Sequence, residues 1–209
     1  DADPVKASAL ADAGLTPYHA IKLALPKLNK AGSSALVIGL GGLGLLAVQI
    51  LKAMTGATII ATDTKEEALR QAEKYGAVTV ASGDDQAATI RELTGGRGVD
   101  AVFDMVGNGP TVETAMKSVA TQGRVTIVGL GAAGSDYGWQ WYKEPHEAEL
   151  VKTYWGTLPE LGELVVLLQQ GHLEPQYTTY SLDEGLDAYQ KLVDGQVSGR
   201  AIIVPNDRF

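Results

Sequence analysis

Short apolar runs alternate with amphipathic stretches from about residue 35 to residue 155. Six of these runs predict strands, at 35–38, 58–62, 78–80, 101–104, 124–128 and 150–155. Between them, apolar residues at helical spacing, such as Leu46, Ile50 and Met54, predict helices at 43–55, 65–75, 85–93 and 110–120. Strands that alternate with helices of this length indicate βαβ units, and therefore an α/β fold with a doubly wound, parallel six-stranded sheet.

The pattern of the chain changes after Gly156. Here the sequence predicts a helix at 158–170, a strand at 176–180, a helix at 183–193 and a last strand at 200–204. Ser181 and Glu184 have the spacing of a capping box, which predicts that they open the second of these helices. We expect these elements to form an appendage and not an extension of the sheet.

A glycine-rich turn follows the first predicted strand and opens the first long helix of the alternating region. Residues 39–44 match the pattern G-x-G-x-x-G: Gly39 permits a tight turn, Gly41 lets the backbone approach a pyrophosphate, and Gly44 lets helix and strand pack closely. The helix that follows offers free N–H groups and the positive end of its dipole. The alternative is a purely structural turn. The context favours the Rossmann phosphate-binding turn, with predicted cofactor contacts at Gly39, Gly41, Gly42, Leu43 and Gly44.

Asp63 lies 19 residues beyond Gly44, at the end of the second predicted strand. A carboxylate at this point accepts the ribose hydroxyls of the adenosine and repels a 2′-phosphate. The alternative reading is a helix cap, but Thr64 and Glu67 have capping-box spacing, which would leave Asp63 free for the ribose. Asp63 therefore favours NAD over NADP, although Lys65 would partly offset the repulsion of a phosphate.

Composition narrows the function classes further. The net charge of −8 argues against a nucleic-acid partner, because a phosphate backbone would be repelled. The chain has no cysteine, which excludes disulfides and thiolate metal sites. It has neither a signal-like start nor an apolar run of about 18 residues, so we expect a cytoplasmic protein without membrane contact.

Several segments together resemble one enzyme family. They are Asp-Ala-Gly-Leu-Thr-Pro-Tyr-His-Ala at 12–20, the glycine turn, Ala-Val-Phe-Asp at 101–104, residues 125–129, Tyr-Trp-Gly-Thr at 154–157 and residues 199–205. This combination is similar to the zinc-dependent medium-chain alcohol dehydrogenases, in particular the bacterial NAD-dependent secondary alcohol dehydrogenases. The resemblance runs along the whole chain and implies the C-terminal, cofactor-binding half of such an enzyme.

The resemblance implies a division of the chain. Residues 1–15 would be the remnant of a junction with a preceding GroES-like catalytic domain, 16–155 the NAD-binding Rossmann domain, and 156–209 a tail that returns to the catalytic domain. It also implies a homo-oligomer through the sheet edge, since the family pairs its Rossmann sheets near the sixth strand.

The resemblance places one catalytic-zinc ligand, Asp12, in this chain. The family's other two ligands, a cysteine and a histidine, are absent, and a catalytic zinc normally takes three protein ligands. His19, His146 and His172 are too scattered to replace them. We therefore expect zinc in the full-length parent and not in this chain alone. From the bare sequence, a helix N-cap is an equally good reading of Asp12.

The same comparison implies contacts at the nicotinamide end of NAD: Thr16 near the ring, Val106 beside the ribose, and Val128 and Trp155 at the carboxamide. Without the resemblance these are core or turn residues. The implied parent oxidises secondary alcohols to ketones, or the reverse, and this chain alone would bind NAD(H) but be catalytically incomplete. Two alternatives stay open at this point: a non-catalytic NAD-sensing module and a fragment of a zincless medium-chain quinone reductase.

Overall fold

The computed structural model describes residues 2–131 and 145–205, and a six-stranded parallel sheet is its central element. The strands are β1 (Ser34–Ile38), β2 (Thr58–Asp63), β3 (Val78–Ala81), β4 (Val99–Asp104), β5 (Val119–Ile127) and β6 (Glu149–Lys152). They are ordered β3-β2-β1-β4-β5-β6, and every neighbouring pair is parallel. The predicted doubly wound six-stranded sheet is confirmed.

The helices are α1 (Pro4–Ser8), α2 (Leu15–Leu28), α3 (Gly42–Met54), α4 (Glu66–Lys74), α5 (Gln86–Leu93), α6 (Gly109–Ser118), α7 (Leu158–Gln169) and α8 (Gly185–Val193), with a π-helical segment at Leu10–Gly14. Six of the helices, α3 to α8, begin and end within two residues of the predicted positions, whereas the helices α1 and α2 at the start of the chain were not predicted. Within the described ranges, none of the helices combines the length and the hydropathy that a bilayer crossing requires.

Alternate residues of the central strands point to opposite faces of the sheet and belong to two separate hydrophobic cores. In β1, Ala35 and Val37 belong to the core beneath α2, α3 and α7, whereas Leu36 and Ile38 belong to the core beneath α5 and α6. All five residues of β1 are buried, because helices cover both faces of a parallel sheet. This explains why the strand sequences are continuous apolar runs and not alternating ones.

The last part of the chain forms a second, two-stranded parallel sheet from β7 (Tyr177–Ser181) and β8 (Arg200–Val204). The expected capping box before α8 is wrong in detail. The Glu184 carboxylate accepts hydrogen bonds from the Ser181 N–H and hydroxyl, both at 2.8 Å, but the helix begins at Gly185 and the serine side chain does not cap it. The pair closes the turn in front of the helix.

The sheet topology determines where a ligand can bind. The strand order reverses between β1 and β4, and in open parallel sheets ligands bind in the crevice at the carboxyl ends of the strands on either side of such a point. The residues that follow β1, β2, β4 and β5 meet at this edge.

Candidate functional site

The glycine turn connects β1 to α3 at the carboxyl edge of the sheet. Gly39 has φ +85°, which favours glycine, and the Cβ of any other residue at Gly44 would lie 1.9 Å from the Gly39 carbonyl oxygen. A Cβ at Gly41 would have no neighbour within 4 Å. The N-cap of α3 is Gly41 itself, so no side chain caps the first turn of the helix. The turn therefore offers uncapped amides, including those of Gly42 and Leu43, beside an open approach.

Asp63 lies at the end of β2 and holds the glycine turn. Its Oδ2 accepts a hydrogen bond from the Leu40 N–H at 2.6 Å, and its Oδ1 accepts one from the Lys65 N–H at 2.8 Å. The sequence had suggested a free carboxylate, but both oxygens of Asp63 accept backbone hydrogen bonds. Each oxygen can still accept a further hydrogen bond from a ribose hydroxyl.

The capping box that was expected to free Asp63 does not form. The first residue of α4 is Glu66, its N-cap is Lys65, and no side chain caps it. The Glu67 carboxylate accepts hydrogen bonds from Arg70 and Gln71 on its own helix. These partners lie three and four residues away, where helical side chains meet, and they draw Glu67 away from the start of the helix.

Asp104, which sequence reasoning did not select, organises the turn after β4. Its side chain is fully buried, and its Oδ1 accepts hydrogen bonds from the N–H groups of Val106 (2.9 Å) and Gly107 (3.0 Å). Its Oδ2 accepts a hydrogen bond from the Thr111 hydroxyl at 2.7 Å. Val106 thereby lies against the glycine turn, since a Cβ at Gly39 would be 2.5 Å from Val106 Cγ2. The sequence did contain a signal for this turn: an aspartate at the end of a strand, three residues before a glycine, is typical of a turn that the aspartate side chain stabilises.

The turn after β5 packs backbone to backbone against this one. The N–H of Val128 donates to the Asp104 carbonyl at 2.8 Å, and the N–H of Gly131 donates to the Val106 carbonyl at 2.8 Å. A Cβ at Gly129 would lie 2.3 Å from the Val106 carbonyl oxygen. The structure thus brings Val106 and Val128 together, with Val128 buried and Val106 partly buried.

The remaining two residues of the implied nicotinamide end lie on other elements. Thr16 is buried on α2, and its Oγ1 has no hydrogen-bond partner among the described residues. Trp155 follows β6, has φ +49° and is 56% exposed, with its ring 5.0 Å from that of Tyr154. A buried hydroxyl without a partner and a strained, exposed aromatic residue are both features that a bound ligand would explain.

Arg200, at the start of β8, lies against the glycine turn. A Cβ at Gly42 would be 2.9 Å from Arg200 Cδ and 3.1 Å from the Gly199 carbonyl oxygen. The sequence showed only a strand at this point, and nothing in its pattern brought the tail to the glycine turn. The structure therefore places the Arg200 side chain beside the uncapped end of α3, with its guanidinium bonded to Asp12.

Asp12 lies in the π-helical segment, where its Oδ2 accepts a hydrogen bond from Arg200 Nη2 at 2.9 Å. It is not a helix N-cap: the N-cap of α1 is Asp3. In residues 2–131 and 145–205, no group of three or more His, Asp or Glu side chains is arranged to hold a metal ion. The surroundings of Asp12 therefore do not fit a zinc site built from this part of the chain.

Comparison with known proteins agrees with this geometry. Residues 42–169 match the profile of the zinc-binding dehydrogenases. The chain belongs to this family. It is 37% identical over 208 residues to the NAD-dependent alcohol dehydrogenase of Sulfolobus acidocaldarius, a match that covers 94% of this chain and 57% of that protein.

Solved structures give the same result. The alcohol dehydrogenase of Aeropyrum pernix matches with a TM-score of 0.84 and 38% identity, over 96% of this chain and 58% of that one. The acetophenone reductase of Geotrichum candidum, solved in complex with NAD, matches with a TM-score of 0.81 and 34% identity, over 96% of this chain and 56% of that one. The predicted family is confirmed, and the chain spans little more than half the length of these relatives.

Proposed function

We propose that this chain binds NAD(H) and forms the cofactor-binding portion of an alcohol dehydrogenase that interconverts secondary alcohols and ketones. The observation that carries the proposal is the uncapped first turn of α3, open at Gly41, with the Asp63 carboxylate at the end of the neighbouring strand. Amides favour a pyrophosphate, and the carboxylate favours a ribose without a 2′-phosphate.

Each part of NAD has a proposed partner in this chain. The amides of the glycine turn and the Arg200 guanidinium would hold the pyrophosphate, and Asp63 would hold the adenosine ribose. Val106 would contact the nicotinamide ribose. Backbone groups of Val128 and Trp155 would hold the carboxamide, and the Thr16 hydroxyl would face the ring. The assignment is supported by the open approach at Gly41, where a Cβ would have no neighbour within 4 Å, and by the unpartnered Thr16 Oγ1.

When bound, NAD supplies a hydride acceptor at its nicotinamide ring. The work of the chain is to orient that ring. The Asp104 carboxylate fixes the Val106 turn, and the packed backbones after β4 and β5 fix Val128. Thr16 would be supplied by α2. A fixed geometry of this kind lowers the barrier by removing the need to find the reactive orientation.

Polarisation of the alcohol oxygen is a task for residues outside this set. The one carboxylate that the resemblance relates to zinc is Asp12, and Arg200 holds it. Within residues 2–131 and 145–205, no second or third side chain is placed to complete a metal site with it. We propose that the chain by itself binds NAD but does not oxidise alcohols. The relatives named above support the alcohol and ketone substrate class. We also propose domain limits after residues 15 and 155, a homo-oligomer through the β6 edge of the sheet, and a cytoplasmic location.

Calorimetric titration of the purified chain with NAD and with NADP tests the proposal. We expect saturable NAD binding that is at least about tenfold tighter than NADP binding, the factor that corresponds to 1.4 kcal/mol. Absent or equal binding of the two dinucleotides would contradict the assignment. A parallel assay with secondary alcohols, NAD and added zinc should show no NADH formation, and turnover by the chain alone would overturn the proposed division of labour.

A further inference from the structure

Glu160, in the first turn of α7, carries a buried charge with several partners. Its side chain is 9% exposed. Its Oε2 accepts hydrogen bonds from the Thr157 N–H at 2.8 Å and from the Thr157 hydroxyl at 3.0 Å, which completes a capping box. This is a local contact that the helix would make wherever it lay in the fold.

The same carboxylate also makes a contact that is not local. Nδ1 of His19 on α2, 141 residues earlier in the chain, lies 3.0 Å from Glu160 Oε1 and 3.1 Å from Glu160 Oε2. The Lys22 ammonium is 4.0 Å from Oε1. Glu160 therefore joins the turn in front of α7 to α2.

That turn is held tightly between the two elements. A Cβ at Gly156 would lie 2.7 Å from Leu15 Cδ1 on α2 and 3.0 Å from Glu160 Oε2. Directly before it, Trp155 has φ +49°, a left-handed backbone conformation that is strained for a bulky residue. The surroundings must offset this strain, and the Glu160 carboxylate and Leu15 on α2 both contact the turn.

Closing the turn in front of a helix does not by itself require this arrangement. Glu184 makes the same two bonds to Ser181 in front of α8, but it does so on the exposed surface and without a histidine. Burial by itself would raise the pKa of Glu160, but the hydrogen bonds from His19 and from Thr157 outweigh burial and hold that pKa below its ordinary value. The carboxylate is therefore ionised at neutral pH and keeps both connections.

The two elements that Glu160 joins carry the residues assigned to the nicotinamide end. Thr16, whose buried Oγ1 has no partner in the described part of the chain, precedes His19 by one helical turn on α2. Trp155 is in the turn itself. We propose that Glu160, through Thr157 and His19, is a positioning residue for the nicotinamide end of the cofactor. The inference rests on the proposed function, because it concerns the same site.

A positioning role at one end of NAD predicts a ligand-selective effect. ADP-ribose has the adenosine, the pyrophosphate and both riboses of NAD but lacks the nicotinamide. A substitution that merely loosens the fold weakens both ligands, whereas one that displaces the Trp155 turn relative to Thr16 weakens NAD alone. The ratio of the two dissociation constants separates these cases.

The test is calorimetric titration of Glu160→Gln with NAD and with ADP-ribose. We expect the Kd for NAD to rise about 5–10-fold, less than the loss of a whole charge-assisted hydrogen bond because glutamine keeps one acceptor oxygen, while the Kd for ADP-ribose stays within about twofold. The control is Glu184→Gln: it alters the equivalent carboxylate in the exposed turn in front of α8, which makes no hydrogen bond to α2 within the described residues, and both affinities should be unchanged. Equal weakening of both ligands by Glu160→Gln, or of neither, would overturn the inference.

His19→Ala keeps the inference testable if Glu160→Gln does not fold. It removes the connection to α2 and leaves the cap at Thr157 intact. We expect the same selective loss of NAD affinity, about 2–5-fold for one hydrogen bond, and an unchanged ratio would contradict the positioning role. If the unsubstituted chain binds neither ligand, the proposed function and this inference both fail. If it binds both and the ratio does not respond, only the inference fails.

Discussion

The Asp63 carboxylate accepts a hydrogen bond from the Leu40 N–H, with 2.6 Å between Oδ2 and the nitrogen. The end of β2 therefore shapes the glycine turn that follows β1. A second bond, from the Lys65 N–H, fixes the carboxylate in front of α4. The group assigned to the ribose is thus preorganised by two backbone donors, and its charge is available where an adenosine ribose would lie.

Replacing this carboxylate should change cofactor preference more than stability. Asp63→Asn keeps an acceptor oxygen for the Leu40 N–H but removes the negative charge that repels a 2′-phosphate. We expect NAD to bind about tenfold more weakly and NADP to bind equally well or better, as measured by calorimetry. The control is Asp63→Ala, which leaves both backbone donors without this acceptor and should lower the free energy of unfolding by about 1–3 kcal/mol. An unchanged ratio of NAD to NADP affinity in Asp63→Asn would contradict the ribose assignment.

Two glycines of the turn should respond differently to the same substitution. Gly44→Ala places a methyl group 1.9 Å from the Gly39 carbonyl oxygen, so helix and strand must separate. We expect a loss of about 2 kcal/mol or more in urea unfolding. Gly41→Ala meets nothing within 4 Å and should be nearly neutral for stability, yet its methyl group occupies the approach to the amides and should weaken NAD binding. Full NAD affinity in a stable Gly41→Ala protein would show that phosphates do not approach there.

Arg200 offers a test of the tail's part in phosphate binding. Arg200→Gln removes a guanidinium that is 37% exposed in its pair with Asp12, so the stability should change by no more than about 1 kcal/mol. NAD affinity should fall about 5–20-fold, and its dependence on salt concentration should become weaker, because one phosphate contact is lost. Lys191→Gln, which removes an equally charged side chain from α8, is the control and should leave both quantities unchanged. Equal effects of the two substitutions on NAD affinity would show that the loss of one positive charge, and not a contact between Arg200 and a phosphate, causes the change.

Acid stability should depend on Asp100, which is buried at the start of β4. Burial raises the pKa of this carboxyl, but the bidentate bond from Arg97, the Lys30 ammonium and the Ser34 N–H lower it to about 2 from the ordinary 3.8. Since the folded pKa is the lower one, its contribution is complete above about pH 4 and is lost as the pH falls through about 2. After allowance for its exposed cationic partners, this contribution is about 1–2 kcal/mol.

Urea unfolding at pH 7, 4, 3 and 2 measures this contribution. Asp100→Asn should be less stable at pH 7 and should lose less stability than the unsubstituted chain between pH 4 and pH 2. Glu113→Gln, an exposed partner of Lys117 on α6, serves as the control and should retain the original acid slope. An identical slope in Asp100→Asn would show that another carboxylate governs the acid transition.

The sequence by itself determined the strand and helix order. Strands buried on both faces must be apolar throughout, and the helices between them need one apolar stripe, so both elements leave local patterns. The conformations of Gly39 and Gly76, with φ +85° and +92°, are equally local, because a left-handed backbone favours glycine whatever surrounds it. These features need no knowledge of distant residues, and the alternation of strands and helices was enough to predict a parallel sheet.

Only the tertiary structure decided which polar groups meet. Glu160 and His19 are 141 residues apart, and Asp12 and Arg200 are 188 apart; neither pair shares an element or a periodic pattern. The same holds for Asp63. Local sequence spacing predicted a free carboxylate, but in the structure the Leu40 N–H donates a hydrogen bond to it across the edge of the sheet. A hydrogen bond depends on positions accurate to a few tenths of an ångström, and such positions are set by the packing of the whole core.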